Sequence, residues 1–318
     1  MSQFHYGPAP LQISWDAGKD PYNFSTNTHA FLVDKAVQLI KPLVYSDVSI
    51  NPKVYKLTFE TNAPKLADGL RDADEKLKKG YLQAFAGHFF DPDNPDSSIL
   101  DKMSTVMQSI YRALQYVNGK IVPASVNAYE YFILATRYWT LCNYPEAANA
   151  LGFSLHFLAD IGMPMHASLF TAFDPPIDFH PHVEIMAKNF HSDVILSPDE
   201  ITNYKSQWPD LKALATTDPK LQKKVLLEQY MVPFGRISKK LNEQIVDRAV
   251  LERYQYVMSQ PPGMRDHMIW GNAIKAPLVE AMKVSVIYLA GWIYLWCASF
   301  PYPRIANLSG GFSTFKPA

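Results

Sequence analysis

Residues 151–167 read LGFSLHFLADIGMPMHA, and this stretch decides the fold. Leu151, Phe153, Leu155, Phe157 and Leu158 leave no polar face wide enough for a surface helix, so the segment reads as a central helix buried on nearly all sides. His156 and Asp160 stand four residues apart within it. On a helix that spacing puts both side chains on one face, about 5–6 Å apart at Cβ. A carboxylate in such apolar company is costly unless it is paired or bound to a metal. Gly162 and Pro164 then break the helix, and His166 returns from the turn.

Working outward, FHPHVE (179–184) repeats the device. Pro181 suits the first turn of a new helix, and His180 and Glu184 form a second i, i+4 pair, with His182 facing away from it. Upstream lie His29 in NTHAF, Asp74 in GLRDAD and His88 in AGHFFDPD. Taken singly, each has an ordinary reading: a helix-start residue, a solvated charged stretch, a turn-side histidine. Together, five histidines and three carboxylates at ligand spacing match what two or three zinc ions require. Such clusters activate water at neutral pH and hold phosphoryl groups, so a metal-dependent hydrolase is expected. His5, His191 and His267 have no partner at ligand spacing and read as structural.

Helical periodicity dominates the rest. HAFLVDKAVQLIKPLV, SSILDKMSTVMQSIYRALQYV, ASVNAYEYFILATRYWTL, EAANALGFSLHFLADI and the long run from LQKKVLLEQ to RYQYVM all carry apolar residues three or four apart. Ser97 or Ser98 is the expected cap of the second of these. KVYKLTF (53–59) is the best candidate for a strand. A final helix is expected near 276–299; its apolar part, VSVIYLAGWIYLWCASF, is short for a membrane span and reads as a core helix. The 24 prolines punctuate helical runs and mark no linker. One all-α domain is expected.

The chain has 318 residues, 48% hydrophobic and 19% charged, enough for a sizeable core. Formal net charge is zero, which supplies no field to recruit a polyanion, so nucleic acid is not the expected partner. Cys142 and Cys297 have apolar neighbours and are expected as buried free thiols. The opening MSQFHYGPAPLQIS has no basic and apolar leader pattern of the Sec type.

The pattern Trp15, THA (28–30), GLRDAD, GHFFDPD, LGFSLHFLADIGMPMHA and FHPHVE, running through about residues 15–300, resembles the bacterial zinc-dependent phospholipase C family, including the catalytic domain of the alpha-toxins. The resemblance implies a multi-helix domain holding three zinc ions in a cleft. One would be held by His166, His180 and Glu184. A second would use His88, His156 and Asp160, with Asp74 as a further ligand or general base. The third would use His29, a bridging Asp160, and the backbone amine and carbonyl of Trp15.

In that family the tryptophan is the mature N-terminus. Here fourteen residues precede it, so 1–14 are expected to be a propeptide, 15–300 the catalytic domain and 301–318 a tail. Family members that prefer choline carry an acid near that tryptophan and an aromatic after the Asp74 position. Gly18, with Asp16 nearby, and Glu75 stand at these places, while Phe85 keeps the remaining aromatic; Glu75 and Phe85 are the head-group candidates. The implied substrate is a glycerophospholipid, phosphatidylcholine foremost, at a membrane or micelle surface. The implied protein is a monomer, exported, and bound only peripherally to membranes. The alpha-toxins' C-terminal β-sandwich has no counterpart here, so strong haemolysis is not expected. Two rivals are a single-strand-specific zinc nuclease, which shares HxxxDxxxxxH but usually ends in HxxxD, and a non-catalytic zinc-stabilised module, which would ordinarily be richer in cysteine.

Overall fold

The structure, a computed structural model, describes residues 27–48, 50–78, 86–97, 99 and 122–300, and at 75–78 the backbone alone. The expected helix over 97–117, Trp15 and Phe85 therefore lie outside the described residues, apart from the start of that helix. Among the described residues there is no strand. The helices are α1 (Thr28–Ser46), α2 (Pro52–Tyr55), α3 (Ala63–Lys78), α4 (Ala124–Thr140), α5 (Tyr144–Gly162), α6 (Pro164–Ala167), α7 (Phe179–Ala187), α8 (Pro198–Lys205), α9 (Leu211–Leu214), α10 (Pro219–Leu226), α11 (Val232–Ile245), α12 (Arg248–Ser259) and α13 (Met268–Ala298).

Helix α5 lies at the centre, packed along its length by α3 and α4 and backed by α13. From Ala150 through Gly162 every residue of it is buried. Two glycines explain how α3 comes so near. A Cβ at Gly69 would stand 2.0 Å from the Asn149 carbonyl oxygen, and one at Gly152 would stand 2.2 Å from that of Leu66. The two helices therefore cross backbone to backbone, a distance only glycine permits.

Helix α13 is long and apolar enough to cross a membrane, but 78% of its most apolar window is buried inside the protein. It is a core helix, and it starts earlier than the sequence suggested, at Met268. Its tryptophans end in hydrogen bonds rather than in voids. Trp292 Nε1 donates to Ser154 Oγ (2.9 Å), which donates to the Ala128 carbonyl (2.6 Å), and Trp296 Nε1 donates to Thr58 Oγ1 (3.1 Å). These bonds tie α13, α5, α4 and the segment after α2 together and leave the indole and hydroxyl groups satisfied in an apolar setting.

Two expectations need correction. KVYKLTF is not a strand: Asn51 caps Lys53, Pro52 opens α2, and residues Lys56–Thr61 continue as a π-helical turn. The buried residues there are Val54, Tyr55, Thr58 and Phe59, a helical spacing that short alternation concealed. Cys297 is buried, but Cys142 is exposed, at positive φ (57°) just beyond α4. The chain there turns back toward Asn143 at the start of α5, which brings the side chain to the surface.

Candidate metal centre

Every one of the eight side chains His29, Asp74, His88, His156, Asp160, His166, His180 and Glu184 is buried. Helix α1 supplies His29 from its first turn, behind the Asn27 cap whose Oδ1 accepts from the Ala30 amide (3.0 Å). Helix α3 carries Asp74. His88 comes from a turn, His156 and Asp160 from α5, His166 from the short α6, and His180 and Glu184 from α7.

Asp160 is the hub. Its two oxygens lie 3.3 Å from His29 Nε2, 2.6 Å from His88 Nδ1, 3.4 Å from His156 Nε2 and 3.1 Å from His166 Nδ1. A second focus is Glu184 Oε1, 3.1 Å from His166 Nε2 and 2.9 Å from His180 Nε2. Asp74 Oδ1 approaches His156 Nε2 at 3.4 Å, and the His29 and His156 rings stack 3.9 Å apart. Three groups have donor atoms all within 4.8 Å of one another: His29–Asp74–His156, His88–His156–Asp160, and His166–His180–Glu184. The first differs from the set that resemblance assigned to His29, because Asp74 and the stacked His156 stand beside it as well as Asp160.

Two rings are oriented from behind. His156 Nδ1 donates to the Leu70 carbonyl (2.8 Å) and His180 Nδ1 to that of Phe170 (2.6 Å). A carbonyl only accepts, so each Nδ1 carries a hydrogen there and each Nε2 is the atom turned to the cluster. The Leu70 contact is available because Gly69 and Gly152 let α3 approach α5.

The electrostatics call for a cation. Burial lowers His29 and His88, and lowers His156 and His166 well below the ordinary imidazole value, so these rings are neutral. Burial also pushes the Asp160 carboxyl up to about 8, against the opposing hydrogen bond with His29. Four neutral rings thus surround a carboxyl that pays heavily for ionising. His166 has both nitrogens near carboxylate oxygens yet neither is in hydrogen-bond geometry, and His88 Nε2 has no hydrogen-bond partner. Buried lone pairs converging with carboxylates are what a divalent metal satisfies, and the all-nitrogen-and-oxygen donor set suits zinc.

The remaining histidines among the described residues lie apart. His182 Nδ1 pairs with the Tyr254 hydroxyl (2.8 Å), and its ring neighbours that of His267. His191 faces Thr28 Oγ1 (3.1 Å) and stacks on Phe31. Glu75 lies in the backbone-only stretch of α3.

No family model matches the chain. It is 27% identical to a phospholipase C of Listeria monocytogenes over 172 residues, 54% of this chain and 51% of that protein. It is 30% identical to one of Clostridium haemolyticum over 161 residues, 51% and 36% respectively, and 27% identical to one of Bacillus cereus over 202 residues, 61% and 58%. The chain is a relative of the bacterial phospholipases C. It spans about half the length of the phospholipases C it matches. In structure it matches the alpha toxin from Clostridium absonum with TM-score 0.60 at 20% identity, covering 86% of this chain and 64% of that one. The alpha-toxin of Clostridium perfringens gives 0.54 at 19%, with the same coverages. Over the matched part, the two toxins share its all-helical fold.

Proposed function

We propose that the chain is a zinc-dependent phospholipase C, cleaving glycerophospholipids, phosphatidylcholine foremost, to diacylglycerol and the phosphorylated head group. The observation that carries this reading is the buried pair of foci, Asp160 and Glu184, bridged by His166 and set within an alpha-toxin-like fold. His166, His180 and Glu184 would hold one ion, and His88, His156 and Asp160 a second. His29 and Asp160 would hold a third with Trp15, once residues 1–14 have been removed and its amine is free. Bound zinc would lower the pKa of water towards about 7 and neutralise phosphate charge.

The side chains do the rest. Leu70 and Phe170 hold the His156 and His180 rings in one tautomer, so their Nε2 atoms need no reorientation during the reaction. Asp74, 5% exposed, orients the attacking water and takes its proton at a carboxylate oxygen. Attack on phosphorus breaks its bond to the glycerol oxygen, which takes up a proton from solvent water and leaves as diacylglycerol. Glu75 and Phe85 are proposed to face the head group. The protein would act as an exported monomer at the lipid surface.

The test is release of phosphorylated head group from phosphatidylcholine, phosphatidylethanolamine and phosphatidylglycerol micelles. Intact protein and protein starting at Trp15 are compared, with single-stranded DNA as a parallel substrate. Zinc-dependent release, larger for the trimmed form, is expected. Digestion of DNA without lipid cleavage would replace this reading by the nuclease, and an active enzyme with an intact N-terminus would end the propeptide proposal.

A further inference from the structure

The turn segment that delivers His88 has neither helix nor strand to fix it between His88 and Ser97. It is held instead by long-range contacts. The Asn127 amide donates to the Gly87 carbonyl (3.2 Å), the Ala124 amide to Phe89 (3.0 Å), and the Phe90 amide to the His166 carbonyl (3.3 Å). The Phe89 ring lies against that of His166, with centroids 4.9 Å apart.

The far end of the segment, Asp91-Pro92-Asp93, ends in a charge. Asp91 is 5% exposed. Its Oδ1 accepts from Lys239 Nζ (2.8 Å) and the Asp93 amide (3.2 Å), and its Oδ2 accepts from Asn94 Nδ2 (3.1 Å). The same ammonium reaches Asp93 Oδ2 at 2.8 Å. Lys239 stands on α11, which also packs on α6, the carrier of His166. One turn earlier, Gly235 leaves room for the Phe90 ring, which a Cβ there would meet at 2.9 Å.

We propose that Lys239 is a positioning residue for the metal centre: by fastening Asp91 and Asp93 to α11 it holds the segment that presents His88 to Asp160 and Phe89 to His166. The proposal rests on reading the cluster as a metal centre. A mostly buried carboxylate that loses its cation must turn toward water. Asp91 cannot do so without pulling on a segment that has no secondary structure of its own. His88, three residues away, then leaves its 2.6 Å contact with Asp160. Supports behind metal ligands typically alter metal affinity by about 10–100-fold.

The experiment measures zinc affinity of the metal-free full chain by competition with a fluorescent chelator, for wild type, Lys239→Met, Lys239→Arg and Asp93→Asn. Lys239→Met is expected to weaken binding of one ion by about 10-fold or more. Turnover should fall with it while KM stays near wild type. Lys239→Arg keeps donors for both carboxylates and is expected to recover most of the loss, and Asp93→Asn to fall between. The metal-free proteins should melt alike, because without metal the segment is free to carry Asp91 to water and Lys239 is already partly exposed. Wild-type affinity in Lys239→Met, or no recovery in Lys239→Arg, would overturn the proposal. If Lys239→Met does not fold, Asp93→Asn decides it: affinity equal to wild type overturns it. Wild type that binds no zinc would instead overturn the metal-centre reading, and this proposal with it.

Discussion

Gly69→Ala sets two physical effects against each other. Helix propensity alone predicts a gain of about 1 kcal/mol, because alanine loses less backbone entropy than glycine inside a helix. Packing predicts the reverse. The new Cβ would stand 2.0 Å from the Asn149 carbonyl oxygen, 2.9 Å from its carbon and 3.1 Å from the Gly152 Cα. Those atoms are backbone and cannot swing aside, so α3 and α5 must part by about 1.4 Å to bring the 2.0 Å approach to ordinary contact at 3.4 Å. Overpacking of this kind costs about 1–3 kcal/mol and occasionally more. Taking about 3 kcal/mol, packing exceeds propensity, and the net loss of about 2 kcal/mol lowers Tm by about 3 °C for a chain of this length. The same parting stretches the 2.8 Å bond from His156 Nδ1 to Leu70 and draws Asp74 from His156. A misplacement of about 1 Å costs up to about 100-fold in rate. Calorimetry and head-group release read the two effects. Gly263→Ala, where an added Cβ meets nothing within 4 Å, is the control. A Gly69→Ala protein that melts higher than wild type with full turnover would refute the backbone-contact account.

Asp160→Asn keeps the shape of the hub but removes its charge, and is expected to lower zinc affinity by at least about 10-fold, read by elemental analysis after dialysis. Asp74→Asn is expected to cut turnover sharply, by about 10²–10⁴-fold if it removes a general base, while most of the zinc remains bound. Glu200 tests the electrostatics away from the site. A hydrogen bond from Lys283, then those of the Ser197 cap, hold its carboxyl down at about 2. A depressed carboxylate contributes stability above its unfolded value near 4.5 and loses it as pH falls toward 2. Glu200→Gln should therefore narrow the gap in Tm between pH 7 and pH 3 relative to wild type.

The spacings His156–Asp160 and His180–Glu184 were legible because each lies within one helix, where sequence distance fixes spatial distance. Gly162 and Pro164 likewise announced the break that brings His166 back. Asp74 was harder to read. Amid Asp68, Asp72 and Glu75 it looks solvated, and only the close crossing at Gly69 and Gly152 turns it inward. The strand expected at 53–59 failed because seven residues cannot separate alternation from a short helix opened by Asn51 and Pro52. Cys142 was misjudged from its apolar neighbours, since a residue at a helix-ending turn faces outward whatever flanks it. The bond from Lys239 to Asp91 spans 148 residues, and no local pattern encodes it.

The metal content of the purified chain is the most direct measurement of the central claim. Elemental mass spectrometry after gel filtration in metal-free buffer should find more than one zinc per chain, up to one for each of the three buried groups. Stripping that zinc should abolish head-group release, and adding it back should restore release. A chain that carries no divalent metal, takes up none when zinc is supplied and keeps its fold regardless would contradict the account.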